Sequence, residues 1–323
     1  MAPDTRSIMP TGLAQIPGDP VLRRVALLTH VAASRGDGLS LEEAVELLPE
    51  GAPATPEEFR RWAAEHEADV RILGDVISSP GLTGVLSERL VRGRRSRDLM
   101  EEARYLLGGP LAPVRSLALV VAVTGSVAYR SPRPQDDLDL LVIVKRGSLG
   151  LFLFWSYLAL RREGRKRRNS RALPPVCMNL VLDKPHAESL FATPSGLLVA
   201  REALTAAVIQ GAEEYRGLLS KAAWMRGLLP RLYQRVVDKA EEARDRPKDV
   251  SAPVLVRAAS ALLFLPLAAY LQFVGLWRNH SLRSEVGKER VFRTLVAPGR
   301  VQFTSIAFDR LRDAYELRPT EIS

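Results

Sequence analysis

Cysteine is nearly absent from this chain. One residue, Cys177, excludes an intrachain disulfide and any zinc cluster built on several thiolates. That usage fits a reducing compartment, and a cytoplasmic location is expected. Histidine is almost as sparse. His30, His66, His186 and His280 are scattered with no pair at ligand spacing, so a histidine-built metal centre is not expected. Lysine contributes 7 residues against 39 arginines. Residues 1–17 lack a basic segment followed by an apolar one, so no secretory signal is expected.

What is present suits a globular protein. The 323 residues suffice for two or three modules, each with its own core, and 46% apolar with 26% charged residues argues against disorder. The net charge of +9 is uneven: RREGRKRRNSR, residues 161–171, carries seven Arg or Lys and one Glu. Such a run can neutralise the phosphates of nucleic acid or anionic lipid, or simply form a solvated basic loop.

Residues 18–80 read as a first module. Val21–Ala33 is apolar at helical spacing; Ser40 with Glu43 makes a capping box, and Thr55-Pro56-Glu57-Glu58 repeats the helix-start pattern. Short apolar runs, 70–73 and 76–79, flank the hairpin signal Gly74-Asp75. Three helices and a hairpin suggest a winged helix. Its third helix, Pro56–His66, sets Arg60 and Arg61 against Glu57, Glu58 and Glu65, which suits packing or protein contact better than a phosphate-lined groove.

A helical linker, 81–116, carries a smaller basic cluster at Arg92, Arg94, Arg95 and Arg97 and is stopped by Gly108-Gly109-Pro110. Beyond it, Leu117–Val123 and Leu140–Val144 read as buried strands, Leu149–Leu160 as an apolar helix with Trp155 and Tyr157 in the core, and Val176–Leu182 as a third strand. Helices are expected over 195–210, 213–227 and 229–246. A short strand (301–304) and a last helix (306–316) close the chain. Ala258–Trp277 holds twenty residues without a charge, flanked by Arg257 and Arg278. It is long enough to span a bilayer, yet Pro266 and Gln272 interrupt it, and a buried helix explains it as simply.

The chemistry concentrates in VAVTGSVAYRSPRPQDDLDLLVIV, residues 121–144. Gly125 lets backbone approach a phosphate closely, and Ser126 offers hydroxyl and amide donors where a strand gives way to a helix. Asp137 and Asp139 lie two apart on a strand and project from one face, while Asp136, which alternates with them, points elsewhere. Paired carboxylates on one face suit Mg²⁺ or Mn²⁺, hard cations that take oxygen ligands. Either half alone is a weak signal; the two together, ten residues apart between buried strands, form a strong one.

This pattern resembles the signature of polymerase β-type nucleotidyltransferases. The chain is similar in particular to an uncharacterised prokaryotic group that carries an N-terminal winged helix. VAVTGSVA, DDLDLLVIVKRGSLGLFLF, the basic linker into VCMNLVLD, REAL at 201–204 and RVQFTSIAFDRLRDAYE carry that likeness. The resemblance implies an α/β (α+β) architecture with a winged-helix module at 18–80, a linker at 81–116, a mixed-sheet nucleotidyltransferase core at 117–194 and a helical region at 195–323. It also implies transfer of a nucleoside monophosphate from an NTP, ATP first, to a hydroxyl-bearing protein, RNA or small molecule, with pyrophosphate released. Gly125 and Ser126 then correspond to the phosphate-holding pair, and Asp137 and Asp139 to the metal ligands.

The likeness has one departure. Active members place a third carboxylate on a later strand, where this chain has Asn179, which cannot act as a base. Asp183 has the right chemistry and, by alternation, the right face, so it is the expected third catalytic carboxylate despite its place at the strand's end. Lys145, Arg130 and Arg133 are further candidates for contact with a triphosphate, and Ser148 for capping the next helix. The alternative function is a degraded module that binds nucleotide without turnover. Polyanion contact through Arg161–Arg171 and membrane association through Ala258–Trp277 complete the expected partners.

Overall fold

A computed structural model of the chain describes residues 19–66, 70–78, 84–167, 173–237, 251–286 and 292–316. Asp19 opens α1 (Pro20–Ser34) by accepting the Val21 N–H at 2.7 Å, with Pro20 where a missing N–H has no cost. β1 (Leu39–Ser40) leads into α2 (Leu41–Glu46), whose Ser40/Glu43 capping box is fully formed. Thr55 caps α3 (Pro56–Ala64) through the Glu58 N–H. β2 (Arg71–Leu73) and β3 (Val76–Ser78) then form the hairpin around Gly74, giving a three-stranded antiparallel sheet in the order β1-β3-β2.

This region is not independent of the rest. Its far side has a core of its own around Leu22, Leu41, Phe59 and Ile77, but Leu28 and Val31 of α1 are buried with Val120, Ala122 and Ile143 of the central sheet. Arginines fasten the seam. Arg231 donates to the carbonyls of Val45, Ala52 and Pro53, Arg24 to those of Leu47 and Leu228, and Arg235 pairs with Glu46.

The remaining elements follow in order: α4 (Val85–Gly108), α5 (Ala112–Arg115), β4 (Ala118–Thr124), α6 (Gly125–Ala128), β5 (Leu138–Val144), α7 (Leu149–Lys166), β6 (Val176–Asp183), α8 (Lys184–Ala192), α9 (Leu197–Thr205), β7 (Ala207–Gln210), α10 (Ala212–Ser220), α11 (Trp224–Leu228), α12 (Pro230–Val237), α13 (Val254–Val286), β8 (Phe292–Ala297), β9 (Arg300–Ser305) and α14 (Ile306–Glu316). The architecture is mixed α and β, as expected.

The larger sheet is mixed, in the order β7-β4-β5-β6-β9-β8; only β5 and β6 run parallel. One face carries Val120, Ala122, Leu141 and Ile143 beneath the helices α1, α8–α12 and α14. The other carries Val121, Val123, Leu140 and Val142 beneath α4, α7 and α13.

Several expectations fail here. The helix expected over 195–210 ends at Thr205, and the chain continues as edge strand β7, which pairs with β4. Strand β8 was not anticipated. Trp155 and Tyr157 are exposed rather than in the core, because α7 turns them away from the sheet. The basic cluster on α4 is partly consumed by structure: Arg92 is buried against Asp37 and Glu88. Of the run 161–171, residues 168–171 lie outside the described residues. Arg167 pairs with Glu102 and Glu163 and lies over the Tyr105 ring, so it holds the fold.

Helix α13 is fastened to α7 by a polar contact in an apolar seam. The Ser260 hydroxyl, fully within the protein, accepts the N–H groups of Gly150 and Leu151 at 2.9 and 3.2 Å, two of the open donors of the first turn of α7. Ser148, at the cap position itself, instead donates to the Lys145 carbonyl. Gly150 must be glycine, since a Cβ would lie 2.2 Å from the Ser260 carbonyl oxygen. Ser260→Ala is therefore expected to destabilise the protein by about 1–2 kcal/mol, read by denaturant unfolding. Gly150→Ala should cost more by prying the helices apart.

Candidate functional site

Antiparallel pairing of β4 with β5 sets Thr124 opposite Asp139. The next residue, Gly125, turns with φ +67°, a left-handed conformation that L side chains rarely adopt. A Cβ there would stand 2.9 Å from Asp139 Oδ2, so the bare backbone lies directly against the carboxylate. On β5 the odd-numbered residues face the α9 side, and Asp139 belongs to that set with Leu141 and Ile143. Asp137, just before the first residue of β5, lies near enough for its charge to act on Asp139.

The loop before β5 is held by Asp136, which accepts from Arg133 N at 3.1 Å, from Arg133 Nε at 3.2 Å and from Arg35 at 2.9 Å. Burial disfavours its charge, but these donors, together with the Ser126 hydroxyl, hold its carboxyl below the usual range. These contacts tie Asp136 to the loop, although its charge still adds the smallest share to the rise at Asp139. The same contacts occupy Arg133 and draw the buried Ser126 hydroxyl towards the loop. Arg130 is exposed, with φ +56°.

The unexpected participant is Glu202, on α9. Its carboxylate accepts the Gly125 N–H at 3.1 Å. Burial raises its pKa, against the opposing influence of Tyr129, the Gly125 N–H, Arg201 and Arg35. The Tyr129 hydroxyl faces Glu202 without completing a well-formed hydrogen bond, and burial first and Glu202 second push that phenol well up. Arg201 lies over the Tyr129 ring at 4.3 Å and donates to the Tyr315 hydroxyl. The local sequence LLVAREALT carries the clue: two adjacent charges in an otherwise apolar helix must find partners inside the protein.

Three carboxylates therefore crowd the Gly125 turn. Burial, then the charges of Glu202 and Asp137, push the Asp139 carboxyl up to about 7, while a hydrogen bond from Asn179 opposes the rise. Asn179 arrives through an irregularity in β6. Asp139 is opposite Cys177 and Leu141 opposite Leu180, so Met178 and Asn179 together face one residue of β5. Cys177 donates its S–H to the Asn179 side-chain oxygen at 2.7 Å.

That bulge overturns the expectation for Asp183. Met178 packs on the α7 side and Leu180 on the α9 side, so alternation does not carry through from Cys177 to Asp183. Asp183 is opposite Val144, at the other end of β5, about 20 Å along the strand from Cys177. There it caps α8 through the His186 N–H and bonds His186 Nδ1 at 2.6 Å. Asp183 is not the third carboxylate of this site. Lys145 is displaced for a related reason. It follows the far end of β5 and its N–H bonds the Leu117 carbonyl before β4, so it is no phosphate contact at Gly125.

Among the described residues no three His, Cys, Asp or Glu side chains converge as a ready-made metal cage. Mg²⁺ needs none when it is held by one or two carboxylates together with the phosphates of its substrate. Asp137 and Asp139 fit that role, since the negative charges of Asp137 and Glu202 around the buried Asp139 carboxyl are what a cation would offset.

Two outcomes follow. Gly125→Ala forces a strained φ and a contact with Asp139, and a loss of about 1–3 kcal/mol is expected on denaturant unfolding. A carboxyl raised to about 7 contributes stability that is full below the ordinary carboxylate range and is lost as pH rises through 7. Asp139→Asn abolishes that dependence, so the variant should melt above the wild type at pH 8 and the gap should shrink towards pH 5. A constant gap across that range would show that Asp139 is not the titrating group.

Compared with family models, with curated proteins and with solved structures, the chain matches none.

Proposed function

We propose that the chain is a nucleotidyltransferase that moves a nucleoside monophosphate from an NTP to a hydroxyl acceptor, with the N-terminal region folded as a winged helix that serves as a packing module. The observation that carries this reading is the contact of a left-handed glycine turn with a strand carboxylate, Gly125 against Asp139, beside a second carboxylate at Asp137. The turn brings bare backbone to where a triphosphate would lie. Asp137 and Asp139 would hold the divalent ion, which supplies neutralisation of the phosphate charge when bound. Gly125 fixes the leaving phosphates for in-line displacement.

In this reading Glu202 takes the place expected of Asp183. A carboxylate of raised pKa is a stronger base than an ordinary one, which suits it to accept the proton of the attacking hydroxyl. One observation favours a second reading, nucleotide binding without turnover: Glu202 already occupies the Gly125 N–H that a phosphate would use.

Calorimetric titration of each NTP with Mg²⁺ tests the site. Asp137→Asn and Asp139→Asn should each weaken the divalent-dependent affinity by at least about tenfold, with unfolding still cooperative. Unchanged affinity in both variants would reduce the pair to a solvated strand edge. Incubation of labelled NTPs with cell extract separates the two readings. A labelled product that disappears with Glu202→Gln, while NTP binding persists, supports transfer; binding without any product supports the silent module.

A further inference from the structure

We propose that the outer face of α13, continued by α7, lies in the plane of an anionic lipid surface. Along α13 the residues Leu255, Leu262, Leu265, Phe273, Leu276 and Trp277 form one stripe that no other described residue covers; Leu255 is 84% and Leu262 77% exposed. From Ala258 to Trp277 this face carries no charge. Isolated apolar residues on a surface need no explanation, but a continuous stripe six turns long does.

The opposite face decides between spanning and lying flat. Ser260 and Leu267 are buried, Phe264 and Leu271 pack into the core beneath the sheet, and Gly275 abuts Thr294 of β8. The helix is therefore attached along its length to a charged, folded body, and only one side is open to lipid. A helix with one apolar side and a polar body behind it sits at the interface.

The border of the stripe identifies the surface. Tyr270 meets Tyr157 of α7, with hydroxyls 2.9 Å apart and rings 5.5 Å between centroids. This aromatic pair, of the kind favoured at headgroup depth, flanks the stripe, and Trp155 is exposed elsewhere on α7. Arg161 reaches the Tyr157 hydroxyl, and the exposed Arg162, Arg165 and Lys166 continue beyond it; exposed Arg257 stands at the other end. Cations around an apolar strip match anionic headgroups around acyl chains. A second copy of the chain would bring an equal set of cations to the same border, which disfavours self-association there.

The test uses the full chain with vesicles of phosphatidylcholine alone and of phosphatidylcholine with phosphatidylglycerol. Wild-type protein should float with the anionic vesicles, far less with the neutral ones, and be released by alkaline carbonate. Leu265→Glu with Phe273→Glu should reduce flotation by about tenfold or more. Arg161→Glu with Arg165→Glu should remove the preference for anionic lipid, and the melting temperatures of both double variants should stay near that of the wild type because these side chains point outward. The proposal is overturned if wild-type protein floats with neither vesicle, if the Leu265/Phe273 variant floats as well as the wild type, or if carbonate fails to release it. It is equally overturned if the face proves to be covered by a second copy, seen as a dimer that the Leu265/Phe273 variant dissolves and that shows no flotation.

Discussion

The chemistry proposed for this protein depends on one approach: backbone against carboxylate at Gly125 and Asp139. The antiparallel register of β4 and β5 places Thr124 opposite Asp139, and the chain must then turn within one residue. Only glycine combines the required φ with the absence of a Cβ. Behind that turn, α9 closes the gap with Glu202, which satisfies the Gly125 N–H and adds a third negative charge. A folded chain holds such a cluster only with compensation. Here Asn179, Tyr129, Arg201 and Arg35 each offset part of it.

Arginine does most of the fastening. Its planar fork reaches several carbonyls at once, which lysine cannot do. Arg231 gathers the ends of α2 and the following loop, Arg89 bonds the Gly38 carbonyl and Glu43, and Arg35 connects α1 to the loop before β5. Much of the basic excess is therefore spent on seams. Exposed arginines also border the bare face of α13, among them Arg162, Arg165 and Arg257. On the third helix of the N-terminal region, Arg60 is tied to the Gly74 carbonyl and Asp75 across the hairpin.

The parts of this structure written in local code were legible. The Ser40/Glu43 box, the Thr55 cap, the Gly74 hairpin and the stop at Gly108 are each set by neighbours in sequence, and each forms as read. The strand that carries Asp139 was legible for the same reason, although it begins at Leu138, one residue after Asp137. Asp183 was misplaced because one extra residue in β6 reverses the faces, and a bulge leaves no mark in an apolar run. Glu202 was missed because its role depends on where α9 crosses the sheet, a long-range fact. The edge strand β7 was lost inside a helical reading, since Ala207–Gln210 carries no turn signal before it. Exposure of Trp155 was hidden too, because an apolar helix looks the same whether it faces a core or a lipid.

The most direct measurement is anomalous diffraction from crystals grown with Mn²⁺ and a non-hydrolysable NTP analogue. A manganese peak bonded to carboxylate oxygens of both Asp137 and Asp139 is expected, with the triphosphate against Gly125 and Glu202 released from its N–H. A peak elsewhere, or Glu202 still bonded to Gly125 with no nucleotide at the turn, would contradict the proposed site.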